Sequence, residues 1–80
     1  MPKITTPSFD ASYPHLARWV TDFGWLEIGY DSATDSFIRA VHSGGGLWKG
    51  RRSYRTLNAA LAHAEVGVAR LIREEYDSTN

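Results

Sequence analysis

WLEIGYDSATDSFIRAVHSGGGLWKGRR, residues 25–52, decides the fold. At its start Leu26, Ile28 and Tyr30 alternate with Glu27 and Gly29, the period of a half-buried strand over residues 25–30. Asp31-Ser32-Ala33-Thr34-Asp35-Ser36 is dense in turn formers and reads as a hairpin loop. A second strand is predicted over residues 37–43. Gly44-Gly45-Gly46 tolerates positive φ and makes the next hairpin turn. A third strand follows over residues 47–52. Short strands joined by two tight turns make a three-stranded antiparallel meander. Its inward residues are expected to be Leu26, Ile28 and Tyr30, then Ile38 and Ala40, then Trp48 with Gly50. That sets Glu27, Phe37, Arg39, Val41, Leu47, Lys49 and Arg51 on the opposite face. Phe37 and Val41 are themselves apolar, and a slip of one residue would exchange the two sides of the middle strand.

Outward from the strands, both flanks read as helix. Upstream, Leu16, Trp19, Val20 and Phe23 share one helical face, predicting a helix over residues 13–23. Pro14 suits its first turn, and Gly24 suits a left-handed residue just past its end. Downstream, Thr56 is a plausible N-cap. Leu57, Leu61, Ala64, Val68, Leu71, Ile72 and Tyr76 recur at helical spacing, so a helix of about five turns is expected. Gly67 interrupts it at about 1 kcal/mol against alanine, which close packing against a strand would explain. The expected fold class is α+β, in the order α-β-β-β-α, with two helices packed on one face of the meander. Residues 1–10 read as a flexible N-terminal arm, 11–76 as a single domain and 77–80 as a frayed tail.

The chain has 80 residues, no cysteine, nine Lys plus Arg and nine Asp plus Glu. That length suits one domain with one modest core. Without cysteine there are no disulfides, no Cys-ligated zinc and no thiol chemistry. Residues 1–10 lack the apolar run of a secretory signal, and no stretch approaches a membrane span. A small cytoplasmic protein with no membrane association is expected.

Net zero charge hides an asymmetry. Residues 1–38 hold two bases and five acids; residues 39–64 hold Arg39, Lys49, Arg51, Arg52 and Arg55 and no acid; residues 65–80 hold two bases and four acids. The basic block, interleaved with Phe37, Trp48 and Tyr54, has the composition of a phosphate- and base-binding patch. The same cations could instead pair with Glu27 or Asp31 across the sheet, with Trp48 in the core. The candidate binding surface is Phe37, Arg39, Lys49, Arg51, Arg52 and Arg55. Ala59, Ala62, Val66 and Ala69 form a small-residue stripe almost opposite the main apolar face of the long helix. They are the candidate helix interface, although alanine is also the ordinary choice on an exposed helix.

Catalytic patterns are missing. Gly45 to Gly50 has phosphate-loop spacing, but Arg51-Arg52 stands where the lysine and hydroxyl would be needed. His15, His42 and His63 lack partners at metal-ligand spacing. Ser43 and Ser53 sit in no nucleophile-elbow sequence. No enzyme activity, cofactor or metal is expected.

The α-β-β-β-α order over residues 13–76 resembles, in topology, a double-stranded-RNA-binding domain. That family carries basic residues in the first turn of its second helix. Here the region reads Tyr54-Arg55-Thr56-Leu57-Asn58-Ala59-Ala60, with Arg55 its one base, and no functional residue is carried over. The three strands and the helix opening Thr56-Leu57-Asn58-Ala59-Ala60-Leu61 are also similar to HicB-like antitoxin modules, which bind a toxin. The expected function is a small non-catalytic protein-interaction module, self-associating or binding a protein partner. The alternative is nucleic-acid binding through the basic second- and third-strand patch.

Overall fold

The computed structural model describes residues 9–76. Residues 1–8 of the expected arm and the expected tail, 77–80, lie outside the described residues. The arm's last two residues, Phe9 and Asp10, are helical instead. The elements are α1 (Phe9–Ser12), α2 (Pro14–Arg18), a π-helical turn (Trp19–Phe23), β1 (Trp25–Asp31), β2 (Ser36–His42), β3 (Gly45–Lys49) and α3 (Leu57–Glu75). The strands form one antiparallel sheet in the order β1-β2-β3. The α+β meander with helices before and after it is therefore the architecture of the chain.

The register sorts the side chains into rows. Leu26, Ala40 and Trp48 lie side by side, and Ile28 faces Ile38. Ile38 and Ala40 are fully buried and cluster with Leu16, Trp19, Ala60, Ala64, Val68 and Ile72. All the helical segments that reach the sheet therefore meet this inner face. The middle strand takes the predicted register: Ile38 and Ala40 point in, and Arg39 and Val41 point out.

Inside α3 the buried line is Ala60, Ala64, Val68 and Ile72, a four-residue repeat centred on small side chains. Alanines at two of these positions let the helix backbone come close to the sheet. The predicted stripe is thus displaced around the helix, and Leu57 is left exposed. Gly67 has the predicted reason for its place. A Cβ there would lie 2.2 Å from Nε1 of Trp48, so the indole lies directly on the helix. Thr56 caps α3 as expected, its hydroxyl accepting from the Ala59 amide at 3.0 Å.

The N-terminal segment departs from its expected form. It is two short α-helices and a π turn, closed by the Gly24 amide on the Trp19 carbonyl at 2.9 Å. Gly24 is not left-handed: its φ is −170°. It is glycine because a Cβ would lie 1.9 Å from the Val41 carbonyl oxygen. Trp19 is fully buried, and its Nε1 donates to the carbonyls of Trp25 and Val41. Its ring lies among Phe23, His42 and Tyr76. The first turn of α2 borrows its cap from α3, because Glu65 accepts from the amides of His15 and Leu16.

Two predicted core residues on β1 are not core. Ile28 is 50% exposed and Tyr30 54%. At Tyr30 the cause is a bulge between Ile28 and Asp31, where Gly29 takes φ +125° and breaks the alternation; Ile28 keeps its place opposite Ile38, on the edge strand β1. The Tyr30 hydroxyl turns to Asp35 Oδ1 at 2.8 Å.

Candidate functional site

The outer face of the sheet is the open side of this arrangement. One row across it is Glu27, Arg39 and Lys49; the next is Trp25, Val41 and Gly46. Register shifts between Ala40 and Val41, so Leu47 is the extra residue of a bulge on β3. Trp25 is 45% exposed and Leu47 40%.

Arg39 sits opposite Lys49, a like-charge pairing that is unfavourable on a sheet. The chain resolves it by giving each cation another partner. Arg39 donates from Nε to Glu27 Oε1 at 3.1 Å, and from Nη1 to the carbonyl and hydroxyl of Ser36. Lys49 Nζ swings to the Thr34 carbonyl oxygen at 2.9 Å. Arg39 is buried, although sequence placed it on an exposed binding patch.

The remaining patch residues are dispersed. Arg52 pairs with Asp35 at 3.1 Å, with both side chains largely exposed. Arg51 lies over the Tyr54 ring, and its amide donates to the Tyr54 hydroxyl. Phe37 is half-buried, edge-on to the same ring. Arg55 is exposed just before α3. The candidate binding surface therefore divides into an outer-face pair, Arg39 and Lys49, and a separate loop group, Arg51, Arg52 and Arg55, around Tyr54.

The carboxylates near these cations titrate low. Hydrogen bonds from Trp25 and Arg39 hold Glu27 below the usual carboxylate range. The Thr34 amide and hydroxyl do the same for Asp31. Asp35 is held down by the Tyr30 hydroxyl and then by Arg52.

A cavity of about 420 Å³ lies on this side, lined by Thr34, Arg39, Gly46, Leu47, Trp48 and Lys49. A second, of about 340 Å³, lies between α2 and α3, lined by His15, Glu65, Val66, Ala69, Arg70 and Arg73. Val66 is 69% exposed, and Ala59 and Ala62 are exposed beside it, so three of the four stripe residues face away from the core. Ala69 is half-buried.

The histidines serve structure. His15 Nδ1 lies 2.6 Å from Glu65 Oε2. His63 contacts the Tyr54 hydroxyl and the edge of Trp48. Among the described residues no group of three His, Asp or Glu could hold a metal ion, and no helix is long and apolar enough to cross a membrane.

Sequence reasoning missed the cavity, the exposed Trp25 and the tethering of Lys49. Trp25 carried a usable signal, since it shares the parity of Glu27 and so belongs to the solvent face. The cavity carried none, because a bulge that no residue type marks helps to shape it. Comparisons with protein families, curated proteins and solved structures find no match to this chain.

Proposed function

We propose that the chain is a non-catalytic protein-binding module that works through the outer face of its sheet. The observation that carries this reading is the contrast in cover. Helices close the inner face, while the outer face keeps Trp25 and Leu47 at 45% and 40% exposure. Exposed aromatic and aliphatic side chains rimmed by polar groups are what a protein interface uses. The cysteine-free composition suits the reducing conditions of the cytoplasm.

The test pairs affinity capture from cell lysate with sedimentation of the purified chain over a wide range of concentration. The expected result is a partner recovered in stoichiometric amount, or a mass that rises with concentration. A Trp25→Ser, Leu47→Ser double variant should lose either. A chain that stays monomeric and captures nothing the double variant fails to capture overturns the reading.

Nucleic-acid binding is the second reading, favoured by exposed Arg51 and Arg55 beside Tyr54. It ranks lower because the five bases are split between the outer face and the loop, and Arg52 is paired with Asp35. It requires an affinity that falls steeply with salt and is lost on replacing Arg51 and Arg52 by alanine.

A further inference from the structure

The cavity beside β3 is more than a hollow in the outer face. Four of its six lining residues, Gly46, Leu47, Trp48 and Lys49, are consecutive on β3. β3 is an edge strand, so one row of its backbone N–H and C=O groups has no partner strand. An extended peptide can pair with such a row while its side chains enter the adjoining space.

Arg39 stands across this cavity from β3. Its side chain is nine-tenths buried. Nε and Nη1 make its hydrogen bonds, to Glu27 and Ser36, and Nη2 makes none among the described residues. Among those residues no buried side-chain nitrogen or oxygen lacks a partner, so Nη2 is not sealed from solvent. A guanidinium only donates, in a fixed planar fork. With Nε and Nη1 held in place, Nη2 remains to give one charge-assisted hydrogen bond to a carboxylate from a fixed position. Lys49, fixed on Thr34, adds a second positive charge to the same cavity.

Charge selects the occupant. Two cations, Arg39 and Lys49, and no carboxylate line the cavity. The acidic edge of a second copy is a poor candidate. Glu27 already binds Arg39, Asp31 already binds Thr34, and the Gly29 bulge interrupts β1.

We propose that this cavity docks an extended acidic segment of a partner protein, which pairs with the β3 edge and places a carboxylate on Arg39 Nη2 and Lys49. The proposal rests on the protein-binding reading and names the chemistry of the partner.

The probe is a fluorescein-labelled octapeptide in which glutamate alternates with valine. It is compared with its glutamine counterpart and with a single-stranded DNA dodecamer. Anisotropy gives the affinities, and amide NMR shifts give the site. The expected result is binding of the glutamate peptide about tenfold tighter than the glutamine one, with shifts at Thr34, Arg39 and Gly46–Lys49. Lys49→Gln, on an exposed side chain, should weaken it several-fold while the amide spectrum elsewhere is retained. Arg39→Lys keeps the charge but loses the fork, and should weaken it further. Equal affinity for the two peptides, shifts centred elsewhere, tighter binding of the DNA, or no binding overturns the proposal. Partner capture or self-association that still depends on Trp25 and Leu47 would then leave the protein-binding reading standing alone.

Discussion

On the inner face of the sheet, the row Leu26–Ala40–Trp48 is covered by α3; one residue along the same strands, Glu27 and Lys49 are exposed on either side of a buried Arg39. The inner row is held by shape. Gly67 and the small side chains of Ala60 and Ala64 let a helix lie close, and any added atom meets something solid. The outer row is held by charge, through one buried arginine and long side chains that reach for carbonyls and carboxylates. Shape is unforgiving and does not titrate. Charge tolerates substitution and responds to acid.

The comparison breaks most visibly at Trp19. Trp19→Ala removes a fully buried indole and two hydrogen bonds and should cost about 3–5 kcal/mol. That is comparable to the whole stability expected of a chain this small. A chemical-denaturation curve with a near-native midpoint would show that the inner face is not the core.

Gly67→Ala sharpens the contrast. Helix propensity alone would stabilise by about 1 kcal/mol. The new Cβ would meet the Trp48 indole at 2.2 Å, and overpacking of this kind costs about 1–3 kcal/mol. The thermal midpoint should therefore fall; a rise would mean that the indole moves aside freely.

Acid should act on the outer side. Glu27, Asp31 and Asp35 all have folded-state pKa values below their ordinary 4.5, 3.8 and 3.8. Each contributes stability that is complete above its ordinary value and is lost as pH falls through the lower, folded one. Urea midpoints should hold level at weakly acidic pH, then decline below about pH 4. Asp35→Asn should shrink that decline. A midpoint that rises with acidification would contradict these pairings.

The smallest effect belongs to Trp25→Ser. Removing this aromatic should change stability by less than about 0.5 kcal/mol in a denaturation series. The same substitution should abolish partner binding. A loss of stability as large as that at Trp19 would place Trp25 in the core and end the contrast between the faces.

The strand pattern was legible because residues 25–52 alternate and Gly44-Gly45-Gly46 marks a tight connection, although Gly45 and Gly46 themselves open β3. Gly67 was legible as a packing residue because nothing else justifies glycine inside a helix. The first helix was misread as continuous, since the spacing of Leu16, Trp19, Val20 and Phe23 does not mark a π turn, and Val20, predicted on the apolar face, is exposed. Tyr30 was misread because Gly29, read as an ordinary strand position, takes φ +125° in a bulge that cancels the period; an isolated glycine inside a strand pattern is itself the signal of such a bulge. The basic patch was half legible. Composition showed five cations close together in sequence, but only tertiary pairing decides that Arg39 is buried on Glu27 and Ser36 while Arg55 stays in water.

The Glu65 carboxylate has a consequence for how the chain assembles. The five residues of α2 are too few to hold a helix alone. The group that caps its first turn arrives 50 positions later, on α3. α2 must therefore wait for a segment synthesised 50 residues after it before it can take its shape. Pulsed hydrogen exchange during refolding should find the Leu16 amide protected no sooner than the middle of α3; early protection there would show that α2 forms without its distant cap.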